Sequence, residues 1–117
     1  MPYKDEAKRK AYQKEYSKKH YLRNKQMYVD KAKKSNAYQR SRNKSFVNRY
    51  KSFISCVDCG ESNSIVLEFD HVRGEKVANI SDMVNAPHSI SSIKKEIRKC
   101  DPCCANCHRI RTYQRRQ

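Results

Sequence analysis

The chain reads as an α+β protein: a long basic helical arm leads into a small domain of short strands and helices stapled through cysteines. Three observations predict this. From Tyr3 to Cys59 there is neither Gly nor Pro, and Ala, Lys, Arg, Gln and Glu dominate, a composition that favours helix. All six cysteines fall at or after Cys56, at least four of them in Cys-x-x-Cys spacing. The charge is also split: residues 1–52 hold 17 Lys+Arg against 4 Asp+Glu, and residues 53–117 hold 10 against 8. We therefore expect an arm over residues 1–52 and a folded domain over residues 53–117.

The arm carries nearly all of the +15 net charge, which calls for a polyanion. A membrane surface would need a strong apolar face. This half has only Leu22 among leucines and no Trp, so nucleic acid is the better partner. Ala7/Ala11 and Tyr12/Tyr16 are spaced i,i+4, yet no continuous apolar stripe follows. The reading is an exposed helix with a break near Ser35-Asn36; a disordered basic tail is the alternative. Lys8, Lys14 and Lys18 would meet phosphates. No stretch approaches the roughly 18 apolar residues of a membrane span. Met1-Pro2-Tyr3-Lys4-Asp5 leads into charge rather than an apolar core, so the expected location is intracellular, in the cytoplasm.

Residues 53–117 are few for a hydrophobic core alone, and domains below about 70–80 residues usually carry a staple. Cysteines in a chain without an export signal point to zinc before disulfides. Cys56-x-x-Cys59 is the first pair, with Gly60 suited to the tight turn behind it. Both Cys100-x-x-Cys103 and Cys104-x-x-Cys107 have the spacing of a second pair. Cys104/Cys107 is preferred, because Asp101-Pro102 interrupts the other; Cys103 is then a small buried apolar group, and Cys100 either packs or lies just behind the ligands.

Between the pairs, residues 65–72 read as a strand and Arg73-Gly74-Glu75-Lys76 as a turn. Val77-Ala78-Asn79-Ile80 reads as the returning strand of a β-hairpin. Ser81 caps a brief helix ended by Asn85 and Pro87. A second cap in residues 89–92 opens a helix with Ile93, Ile97 and Cys100 on one face. A basic helix then runs from the second knuckle to about Arg116. The 44 residues between Cys59 and Cys104 exceed the 15–20 or so of a simple zinc ribbon. The segment they form contains Asp70-His71.

Cys56-x-x-Cys59, Leu67-Glu68-Phe69-Asp70-His71 and Cys104-Ala-Asn-Cys107-His108 together resemble the HNH endonuclease family. The likeness is greatest to the small free-standing HNH proteins common in bacteriophages, and it covers residues 56–108. The resemblance implies a ββα-metal fold and hydrolysis of DNA phosphodiester bonds. It implies that Asp70 and His108 hold a catalytic Mg²⁺ or Mn²⁺, and that His71 is the general base. Where the family has its middle Asn this chain has Lys99, and Asn79 is the substitute expected to pin the hairpin loop. Arg73, Arg109, Arg111 and Arg115 are the expected phosphate contacts of the domain. The rival expectations are a non-enzymatic zinc-binding regulator on DNA or RNA, and a phage packaging factor. A regular strand turns Asp70 and His71 to opposite faces, so a bend after His71 is needed for both to reach one phosphate.

Overall fold

The computed structural model describes residues 5–117. The opening Met1-Pro2-Tyr3-Lys4, read above as leading into charge, lies outside them. The fold is mixed α+β, with five α-helices and one two-stranded antiparallel sheet among the described residues. The chain divides into two compact units, the first ending at Asn36 and the second running from Ala37 to Gln117. No helix among the described residues is long and apolar enough to cross a membrane.

In the first unit, α1 spans Glu6–Arg23 and α2 (Lys25–Lys51) begins one residue after Asn24. Asp5 caps α1, its carboxylate accepting from the Ala7 N–H at 2.9 Å. The break falls at Asn24 and not near Ser35-Asn36, which continue as helix. Asn24 leaves the helical region (φ −113°, ψ 20°), and its side-chain amide donates to the His20 carbonyl at 3.0 Å. That bond competes with the helical ladder. α1 buries no residue. It is held instead by i,i+4 pairs such as Lys19–Glu15 (3.3 Å) and by ring contacts among Tyr12, Tyr16 and His20.

The second unit reaches back further than residue 53, because the end of α2 supplies core. Val47 is buried with Ile80, Met83, Ile93 and Ile97, and Phe46 and Phe69 pack against this cluster. Asn43 is fully buried and donates to the His88 carbonyl at 2.8 Å, while Gln39 donates to its Oδ1 at 2.9 Å. A buried amide needs such partners. They tie α2 to the loop that holds His88.

A 3₁₀ turn at Ser64–Val66 feeds β1 (Leu67–His71), which pairs with β2 (Cys100–Cys104). Register sets Leu67 opposite Cys104, Phe69 opposite Pro102 and His71 opposite Cys100. The expected hairpin with residues 77–80 does not form. Ile80 starts α3 (Ile80–Asn85), where Ile80 and Met83 share one buried face at helical spacing. The true partner was hidden by Asp101-Pro102, which reads as a helix stop. Proline is tolerated because each strand of a two-stranded sheet is an edge, and the Pro102 carbonyl accepts from the Val57 N–H at 3.0 Å. Ser89 caps α4 (Ile90–Ile97), accepting from the Ser92 N–H, and α5 (Ala105–Arg115) follows β2 without a loop.

Candidate functional site

Four sulfurs converge where the first knuckle meets the start of α5. The ligand atoms of Cys56, Cys59, Cys104 and Cys107 all lie within 4.8 Å of one another. The Cys59 and Cys104 Sγ atoms are 3.7 Å apart. A zinc ion about 2.3 Å from each of four sulfurs would set them about 3.8 Å apart, so the four cysteines could hold such an ion. Local structure prepares the site. Gly60 turns at φ +81°, in the left-handed region, and its N–H donates to the Cys56 carbonyl at 2.9 Å. The Cys107 N–H points at the Cys104 sulfur at 3.4 Å.

The electrostatics agree with a cation there. Burial opposes ionisation of the Cys56 thiol, but backbone hydrogen bonds from Cys104, Cys59 and Asp58 outweigh it and bring the thiol down to about 6. Cys107 is pushed well above the ordinary thiol range by the neighbouring Cys104 and Cys59 sulfurs. One thiolate forms readily and the next does not, unless a divalent cation neutralises the set. Cys100 and Cys103 lie outside the tetrad. Burial pushes them up to about 11 and about 12, and the Cys103 thiol donates to Asp58. They pack, as the preference for Cys104/Cys107 required.

β1 remains regular through His71, and its pleat sends the candidate residues two ways. Glu68 and Asp70 face α5, Phe69 and His71 face the apolar core and α4, and Leu67 packs among the cysteines. Asp70 is buried, with both oxygens held by arginines of α5. Arg111 donates to Oδ2 at 2.8 Å, and Arg115 donates to Oδ1 and Oδ2 at 2.8 and 2.7 Å. The Arg115 hydrogen bonds lead in holding this carboxyl down to about 2, burial opposes them and Arg111 assists. His108, on the first turns of α5, sets Nδ1 2.8 Å from Glu68 Oε1 and Nε2 3.6 Å from Asp70 Oδ1.

His71 and His108 nonetheless line one open cleft of about 530 Å³. Glu68, Phe69 and Asn79 share its wall, and Lys44, Asn48 and Lys51 of α2 form its far side. Asn79 donates to Asp82 at 3.2 Å. The residue that ties down the loop after β1 is Glu96, which sequence reasoning passed over. It is buried on α4 and contacts His71, Val77 and Lys99. Its signal was legible: position 96 falls on the face of Ile93 and Ile97, so a carboxylate there must be partnered.

The expected phosphate contacts divide. Arg111 is committed to Asp58 (2.6 and 2.8 Å) as well as Asp70. Arg73 binds the Arg98 and Cys100 carbonyls and Asp101. Arg109 is exposed, and with Arg116, Thr112 and Tyr113 it lines a second groove along α5. Lys8, Lys14 and Lys18 are exposed on α1.

Whether a catalytic cation fits rests on Asp70. The 3.6 Å between His108 Nε2 and Asp70 Oδ1 exceeds the roughly 3.0 Å between neighbouring ligands of an octahedral ion with bonds of about 2.1 Å, so the two would have to draw together to share one. The carboxylate is available only if Arg115, half-exposed, turns away from it. Among the described residues, every group of three or more close His, Cys, Asp and Glu ligand atoms includes Cys56. No family model, curated protein or solved structure matches the chain.

Proposed function

We propose that the chain is a metal-dependent DNA endonuclease of the HNH, ββα-metal type. The observation that carries this reading is the cleft lined by His71 and His108, residues far apart in sequence, beside the cysteine tetrad. β1, β2 and α5 supply the ββα order, with α3 and α4 inserted between the strands. Asp70 and His108 are the residues that would hold a hard divalent cation, which when bound neutralises charge on the scissile phosphate.

The chain's own residues carry the rest. His71 takes a proton from water as the water oxygen bonds to phosphorus and the P–O3′ bond breaks; the departing 3′-oxygen takes a proton from solvent, leaving 5′-phosphate and 3′-hydroxyl ends. A neutral imidazole suits that base near neutral pH. Lys44 and Lys51 border the cleft, where cations position phosphates. The basic first unit adds sequence-independent affinity for the DNA backbone.

One observation favours a second reading. Asp70 is fully occupied by Arg111 and Arg115, as a purely structural carboxylate would be. That suits a zinc-binding regulator on DNA or RNA. Supercoiled plasmid incubated with the protein and Mg²⁺ or Mn²⁺ separates the two. Nicking or linearisation that disappears with EDTA and in His71→Ala supports the nuclease. Cutting that survives His71→Ala removes the assigned base, and binding without cutting under either metal selects the regulator.

A further inference from the structure

Glu96 is a charged side chain at 2% exposure on the apolar face of α4, between Ile93 and Ile97. A buried carboxylate is tolerated only when it is fully partnered, and this one is. Its Oε1 accepts from the Val77 N–H at 2.9 Å and lies 3.1 Å from His71 Nε2; its Oε2 accepts from Lys99 Nζ at 3.0 Å. Lys99 Nζ also donates to the Glu75 carbonyl at 2.7 Å. The chain between β1 and α3 is thus held at Val77 by Glu96, which also reaches the His71 ring, and at Glu75 by Lys99, which pairs with Glu96. Nothing in Asp70, His108 or the cysteines accounts for this arrangement.

Resting on the nuclease reading, we propose that Glu96 is the positioning residue of the general base: it fixes the His71 ring with its proton on Nε2, so that Nδ1 is the atom that takes the proton from water. The chemistry follows from the acceptor. An ionised carboxylate can only accept, so the imidazole nitrogen facing it carries hydrogen. A neutral imidazole has one such hydrogen, which leaves the lone pair on Nδ1. When Nδ1 takes the water proton, the positive ring stands against the Glu96 carboxylate, and no rearrangement is needed at the moment of reaction. Lys99 neutralises the carboxylate's other oxygen and fixes its plane. A loop pinned only for stability would need the Val77 and Lys99 contacts and not the one to the ring.

The test uses the full zinc-loaded chain. ¹⁵N-histidine NMR above neutral pH, with His71 identified by its loss in His71→Ala, reads the tautomer directly. Wild type is expected to show His71 protonated at Nε2. Glu96→Leu should lose that single tautomer, keep its zinc, and cut plasmid about 10–100-fold more slowly in kcat, with KM within about two-fold. Glu96→Gln keeps the shape and an acceptor and should recover part of the rate; it also carries the test if Glu96→Leu loses zinc or helix content. Wild-type His71 protonated at Nδ1, or a Glu96→Leu protein that cuts at the wild-type rate, overturns the proposal. Wild type that binds DNA and cuts nothing overturns the nuclease reading and with it the catalytic purpose of the contact. The tautomer signature still reports the contact itself.

Discussion

Replacing Cys56 by Ala tests what holds the cysteine end of the second unit together. Among the described residues, the only non-cysteine side chain buried among the sulfurs is Leu67, at 1% exposure, with Ile54 half-buried against it. Full burial of one leucine contributes about 1.5–3 kcal/mol. A structural zinc ion on four thiolates contributes an apparent 10–16 kcal/mol or so. The metal therefore outweighs local apolar burial several-fold, and losing one of four ligands should remove most of it. Metal analysis of wild type should give one zinc per chain, and Cys56→Ala well under one. Its thermal unfolding should coincide with that of wild type stripped by a strong chelator. Cys103→Ala is the matched control: an equally buried thiol outside the tetrad, it should keep its zinc and cost about 1–2 kcal/mol. Full zinc and wild-type melting in Cys56→Ala would refute the reasoning. Loss of zinc in Cys103→Ala, with Cys104→Ala retaining it, would refute the ligand set.

Two further outcomes follow from charge. Asp70, lowered from 3.8 to about 2, is ionised in the fold where a free Asp would take a proton. Its contribution of about 2 kcal/mol is fully present above about pH 4 and disappears as pH falls through about 2. In metal-free buffer, Asp70→Asn should show that loss already at neutral pH, seen as a lowered denaturation midpoint and a flatter acid limb. An Asn variant as stable as wild type would mean that the arginine clamp holds nothing. For the first unit, binding to duplex DNA should weaken about 10³-fold between 50 and 200 mM salt if some 6 cations meet phosphates. Lys8, Lys14 and Lys18 together changed to Glu should lower the logarithmic salt slope by about 3. A slope that ignores all three places the DNA elsewhere.

Local chemistry made much of this protein legible from its residues alone. Cys-x-x-Cys spacing made a cysteine-bound metal legible, because thiolate geometry is short-range, but it fitted Cys100/Cys103 as well as Cys104/Cys107, and the fold brings the latter to Cys56 and Cys59. A run without Gly or Pro from Tyr3 onward reads as helix, since backbone propensity acts residue by residue. The strand ending at Asp70-His71 and a helix cap within residues 89–92 were legible for the same reason. What only the tertiary structure decided is which distant segments pair. β1 takes Cys100–Cys104 as its partner because the tetrad brings the two ends of the domain together. That frees Ile80 to enter the core on a helix. The same packing brought Arg111 and Arg115 onto Asp70 and Glu96 onto His71. Each of those contacts joins residues 25 or more positions apart, and no local pattern encodes them. Burial made them obligatory: a carboxylate withdrawn from water must find a donor, and the fold alone determines which donor is within reach.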